Sequence, residues 1–80
     1  MSFKNKNLYV IAYANGFTLW HYKSNEETLK DITADNYFLP VKTLCAVGDI
    51  FMINAQDGTT IKMLKELDGA NDILKLGDLA

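Results

Sequence analysis

Arginine is absent: all eight basic residues of this chain are lysines. The missing guanidinium is the fork that reads guanine edges and grips phosphate at two points. With a net charge of −2, its absence argues against sequence-specific nucleic-acid binding. Cysteine and histidine are as scarce. Cys45 stands alone, so no disulfide can close within the chain, and Cys45 with His21 falls far short of a four-ligand zinc set. No cofactor or metal is expected. The five glycines, Gly16, Gly48, Gly58, Gly69 and Gly77, never take the spacing of a phosphate-binding loop. No apolar run approaches the ~18 residues of a membrane span. Leu8–Ala14 is short and leads into Asn15-Gly16 rather than a cleavage site, so neither a membrane contact nor a signal peptide is expected.

What is present is an ordinary globular composition: 80 residues, 49% hydrophobic and 22% charged, read as one domain over residues 1–80. A domain this small buries only about 60–65% of its unfolded surface. Without disulfide or metal, self-association is the remaining aid to stability, and a homo-oligomer is expected. Lys4, Lys6 and Lys23 all precede the first acidic residue, whereas Glu66, Asp68, Asp72 and Asp78 gather near the other end.

The pattern is that of strands. Leu8–Ala14 and Phe17–Lys23 flank Asn15-Gly16, the strongest short hairpin signal, since both residues tolerate the positive φ of a type I′ turn. Counting outward from Ala14 opposite Phe17 puts Tyr9, Ile11 and Tyr13 with Tyr22, Trp20 and Thr18 on one face. Val10, Ala12 and Ala14 share the other with His21, Leu19 and Phe17. Both faces are largely apolar, so both should be covered, one by the core and one by another element or another chain. Ser24 to Glu27 matches a capping box, with one or two helical turns from Asn25 to about Lys30. Asp35-Asn36 reads as a turn, and Pro40 opens a single turn to Leu44 that packs Leu44 inward. Gly48-Asp49 is a further turn. A second hairpin follows, Ile50–Ala55 and Thr59–Leu64. Its expected three-residue loop, Gln56-Asp57-Gly58, sets Phe51, Ile53 and Ala55 against Met63, Ile61 and Thr59. A turn at 68–72 leads to a last short strand, Ile73–Leu76. The expectation is an all-β fold: a small five-stranded sandwich or barrel made of two hairpins plus a C-terminal strand, with one or two short helical turns.

Chemistry-bearing residues are few, and no enzyme is expected. His21 lies between Trp20 and Tyr22 with no acid nearby in sequence to orient it. Cys45, between Leu44 and Ala46, reads as a small buried hydrophobe. Glu26 and Glu27 suit a helix start without any catalytic role. Gly16, Gly48 and Gly58 are turn glycines. The aromatic set stands above this background: Trp20, Tyr22, Tyr9 and Tyr13 on one hairpin face, with Tyr37 and Phe38 beyond. Such a group either packs a core, or marks a protein interface, where Trp and Tyr anchor, or forms a stacking platform for single-stranded nucleic acid. The acidic balance favours protein contact.

Three stretches occur together: Ala14-Asn-Gly-Phe-Thr-Leu-Trp-His-Tyr-Lys23, Asp35-Asn-Tyr-Phe38, and Val47-Gly-Asp-Ile50 followed by a hairpin at Asp57-Gly58. Their order resembles a family of short proteins encoded among the structural genes of tailed bacteriophages and prophages. Asn36 stands where that family has glycine. The resemblance implies a virion-associated structural protein of capsid-decoration or head-fibre type, made in the host cytoplasm, with capsid or other virion proteins as partners. It implies no catalytic residues. The alternatives are a small barrel binding single-stranded nucleic acid and a phage accessory protein directed at a host protein.

Overall fold

The computed structural model describes residues 3–79. Five strands, β1 (Leu8–Ala14), β2 (Phe17–Lys23), β3 (Ile50–Ala55), β4 (Gly58–Asp68) and β5 (Ile73–Gly77), form one sheet in the order β1-β2-β3-β4-β5. The fold is all-β, with two hairpins and a C-terminal strand. The sheet is a single open layer with β1 and β5 at its edges, so it is neither a closed barrel nor a two-sheet sandwich. β2 and β3 run parallel and every other pair is antiparallel. A parallel pair needs a crossover, and residues 24–49 supply it. They carry the short helix α1 (Leu29–Ile32) and a 3-10 turn at Leu39–Val41.

The crossover lies over one side of the sheet and completes the core there. Ile32, Phe38, Val41 and Cys45 from the crossover pack on Trp20, Tyr22, Phe51, Ile53, Leu64 and Leu74 from the strands. Trp20 stacks on Phe51 and Phe38 tilts against it, with ring centroids 6.1 and 4.7 Å apart. Phe3 covers the same side, stacked on Tyr22. Each such ring contributes on the order of 1.5–3 kcal/mol by leaving water.

The Asn15-Gly16 turn forms as expected, with φ of 53° and 80°, and Ala14 faces Phe17. A β-bulge then adds Ile11 to β1, so Val10 meets Trp20 and Tyr9 meets His21. Beyond the bulge the side chains of β1 change faces relative to simple counting. The second hairpin also departs from expectation. Ala55 pairs with Gly58 across a two-residue loop, so Phe51 faces Lys62 and Ile53 faces Thr60. Ile61 and Met63 therefore sit on the side away from the core. Lys62 is tolerated on that side because it keeps partial exposure and its ammonium reaches Asp78, 2.6 Å away.

In the crossover the capping box lies four residues later than expected. Thr28 accepts the Asp31 N–H and the Asp31 carboxylate accepts the Thr28 N–H, whereas Ser24 Oγ accepts the Glu26 N–H in a local turn. The turn at Pro40 buries Val41 and Cys45 and leaves Leu44 63% exposed, so Leu44 does not pack inward. Gly48, at φ 100°, makes the bend into β3. The Asp49 side chain then turns beneath β2 and accepts from the Thr18 N–H, the Trp20 indole N–H and the Ala46 N–H, each at 3.1 Å. Main-chain bonds between Gly48 or Asp49 and Leu64 tie the same bend to β4.

Candidate protein interface

Alternation along β2 sends Thr18, Trp20 and Tyr22 into the core and Leu19 and His21 to the outer side. Cross-strand pairing then lays out rows on that outer side. One runs Ala12, Leu19, Ile50, Met63; the next runs Tyr9, His21, Met52, Ile61; a third, polar, runs Lys23, Asn54, Thr59. None of these residues is buried, because the crossover and Phe3 pack on the opposite side. A sheet with one wet face should be polar there. The first two rows are apolar apart from His21 and the tyrosine hydroxyl.

The β1 edge adds to this surface. Tyr9, Val10, Ile11 and Tyr13 are 65%, 55%, 52% and 70% exposed, the last on the core side beyond the reach of the crossover. The expected aromatic interface thus divides. Tyr9 and Tyr13 are free to meet a partner. Trp20, Tyr22 and Phe38 are core residues, and Tyr37 is half-buried in a polar chain. There the Lys4 N–H donates to Tyr22 Oη at 3.0 Å, Tyr22 and Tyr37 share a hydrogen bond at 2.8 Å, and Tyr37 donates to the buried carboxylate of Glu27. Burial, followed by the bonds to Glu27 and Tyr22, pushes the Tyr37 hydroxyl well above its ordinary pKa.

The potential catalytic groups lie apart. His21 is on the outer side, where the Asn54 amide nitrogen is 2.7 Å from Nε2 and Asn54 Oδ1 accepts from Thr59; this arrangement has the imidazole accepting. Cys45 is in the core on the other side, and burial, then the charge of Asp49, pushes its thiol up to about 12. A Cys–His pair cannot form through the sheet. Glu26 is exposed and bonds Lys4 at 2.8 Å. Among the described residues no three His, Cys, Asp or Glu side chains are grouped to hold a metal ion, and no helix is long and apolar enough to cross a membrane.

A second surface feature is an open groove of about 470 Å³ beside the start of β1, lined by Lys4, Lys6, Tyr9, His21, Lys23 and Glu26 among others. Counting from the Asn-Gly turn could not place Val10 on the core side of β1, and a three-residue loop in the second hairpin could not place Ile61 and Met63 on the outer face. The signal available was the apolar character of both hairpin faces. No known protein family, curated protein or solved structure matches this chain.

Proposed function

We propose that this chain is a non-enzymatic structural component that works by protein–protein contact, through the outer face of its sheet and the β1 edge. The observation that carries this reading is the mismatch between two apolar sheet faces and one internal cover. Leu19, Ile50, Met52, Ile61 and Met63 form a contiguous apolar surface with no element of the described chain upon it, the mark of an interaction site. The likeness of the Gly16–Tyr22, Asp35–Phe38 and Val47–Ile50 segments to short phage proteins supports a virion as the assembly, with capsid decoration or a head fibre as the role. Many symmetry-related copies, each burying modest area, then act together through avidity.

The test is peptide mass spectrometry of density-purified particles from the source culture, with unassembled lysate as control. Enrichment with the capsid is expected. Abundance in the lysate and absence from clean particles would reject the virion role.

The groove of Lys4, Lys6 and Lys23 beside exposed Tyr9 favours a second reading, single-stranded nucleic-acid binding by charge and stacking. It requires retention on a single-stranded DNA column at low salt, with a steep loss as salt rises.

A further inference from the structure

Edge strands are normally blunted by lysine, proline, a bulge or a covering loop, because their unpaired peptide groups accept any matching strand. The two edges of this sheet differ in that respect. On β5, Asn36 occupies the outward groups at mid-strand: its N–H donates to the Leu74 carbonyl at 2.7 Å and its Oδ1 accepts the Leu74 N–H at 2.8 Å. β1 has no such cover among the described residues. It holds seven residues without charge or proline, and four of its large side chains are more than half exposed. Its one protective feature is the bulge at Ile11.

We propose that β1 pairs antiparallel with β1 of a second copy about a two-fold axis normal to the sheet, joining two five-stranded sheets into one of ten strands; this rests on the contact reading above only in taking association as the chain's mode of action. Capture of Leu74 by Asn36 blocks the head-to-tail alternative, β1 on β5, and leaves the isologous pair.

Such an axis keeps core sides together and outer sides together, which restricts the register. On β1, Leu8, Val10 and Tyr13 belong to the core side, opposite Tyr22, Trp20 and Thr18; Tyr9, Ala12 and Ala14 belong to the outer side. An axis between Ile11 and Ala12 sets Val10 against Tyr13 of the second copy and Tyr9 against Ala14 of the second copy. It joins the two exposed large side chains on the core side of β1 as an aliphatic–aromatic cross-strand pair. The bulge lies beside the axis, so the ladder forms on either side of it.

Charge selects the same direction. Lys4 and Lys6 precede β1, and neutral Asn15, Gly16 and Phe17 follow it. Antiparallel pairing sets the lysine-bearing start of β1 beside the neutral Asn15-Gly16 turn of the second copy, whereas parallel pairing would set the two lysine-bearing ends side by side. Tyr9 and Tyr13 carry roughly 150–250 Å² each. With Val10 and Ile11 from both copies, the area still exposed at this edge sets a ceiling on the order of 1,000 Å², so edge pairing alone gives at most the lower bound of a specific interface. The two outer faces also merge into one continuous apolar surface, doubling what a larger assembly would meet.

The experiment is sedimentation equilibrium of the purified chain, with circular dichroism to confirm folding. The wild type is expected to be a dimer. Val10→Lys and Tyr13→Glu, both at exposed positions, should each fold and weaken the dimer by ~100-fold, since each sets an unpaired charge in the new ladder. Mixed in equal amounts they should recover a heterodimer, because Lys at 10 of one copy then faces Glu at 13 of the other. A monomeric wild type would overturn the proposal. So would a dimer indifferent to both variants but broken by Leu19→Lys, or variants that do not rescue one another. These readings concern the isolated chain, so they stand or fall separately from its presence in particles.

Discussion

Asp49 shows how much one side chain can fix that a linear reading passes over. Its place beside Gly48 marks a turn and nothing more. Folded, the residue is 2% exposed and its carboxylate meets three N–H donors, two of them on β2 about thirty residues earlier in the chain. Local sequence cannot show this, because the partners are brought together only by the crossover. Removing the acceptor strands the donors where water does not reach. Asp49→Ala should therefore destabilise the fold by about 3 kcal/mol, from the ~1–3 kcal/mol cost of each stranded group with partial relaxation. Asp49→Asn keeps the shape but turns an N–H₂ toward at least one donor, and should lose about 2 kcal/mol by the same reasoning. Urea denaturation followed by tryptophan fluorescence measures both, with Trp20 as the reporter within the site. A loss below that of an exposed control such as Asp35→Ala would show that the cluster holds nothing together.

Among the elements, the first hairpin was legible and its bulge was not. Asn-Gly has a direct conformational meaning, and the positive φ at both positions follows from it. The extra residue Ile11 falls where the register shifts between Val10 and Ala12, in a run of apolar residues whose types do not mark one of them as unpaired. The second hairpin misled for a related reason. A three-residue loop would keep Lys62 off the core side, but that side accommodates Lys62 because its ammonium meets Asp78 just after the end of β5. Gly58 accordingly enters the ladder opposite Ala55 instead of closing a bulge. Asn36 is the converse case, a residue that serves twice. At φ 68° it takes the left-handed conformation that glycine also accepts, and its side chain holds the Leu74 N–H. Asn36→Gly should preserve the turn and release β5, costing about 1 kcal/mol for the lost hydrogen bond. Hydrogen exchange reads this locally: the Leu74 amide should exchange faster while the amide of Ile53 keeps its protection relative to global stability. Equal acceleration at both would mean that β5 does not open separately.

At the scale of the whole molecule, the sheet is covered on one side and acid-sensitive at its margins. Hydrogen bonding to Lys62, then its charge, holds the Asp78 carboxyl below the usual carboxylate range, and the Asn71 side chain does the same for Asp68. A carboxyl whose folded pKa is depressed adds stability that is present above its unfolded value of about 4 and is lost as pH falls through the folded value. Thermal melts from pH 5 to 2 should therefore show a declining midpoint, and Lys62→Met should flatten that decline. One-sidedness itself is tested by two adjacent residues of β3. Phe51 is wholly buried against Trp20 and Phe38, while Met52 points to the outer face between His21 and Ile61. Phe51→Ala should cost about 3–5 kcal/mol through lost transfer energy and a residual cavity. Met52→Ala in the isolated monomer should stay within about 1 kcal/mol, because the side chain gives up little that water does not replace. If an assembly covers the outer face, the order changes: Met52→Ala should then weaken association at nearly unchanged monomer stability. A large loss from Met52→Ala in the isolated monomer would instead mean that the outer face is already covered within the chain.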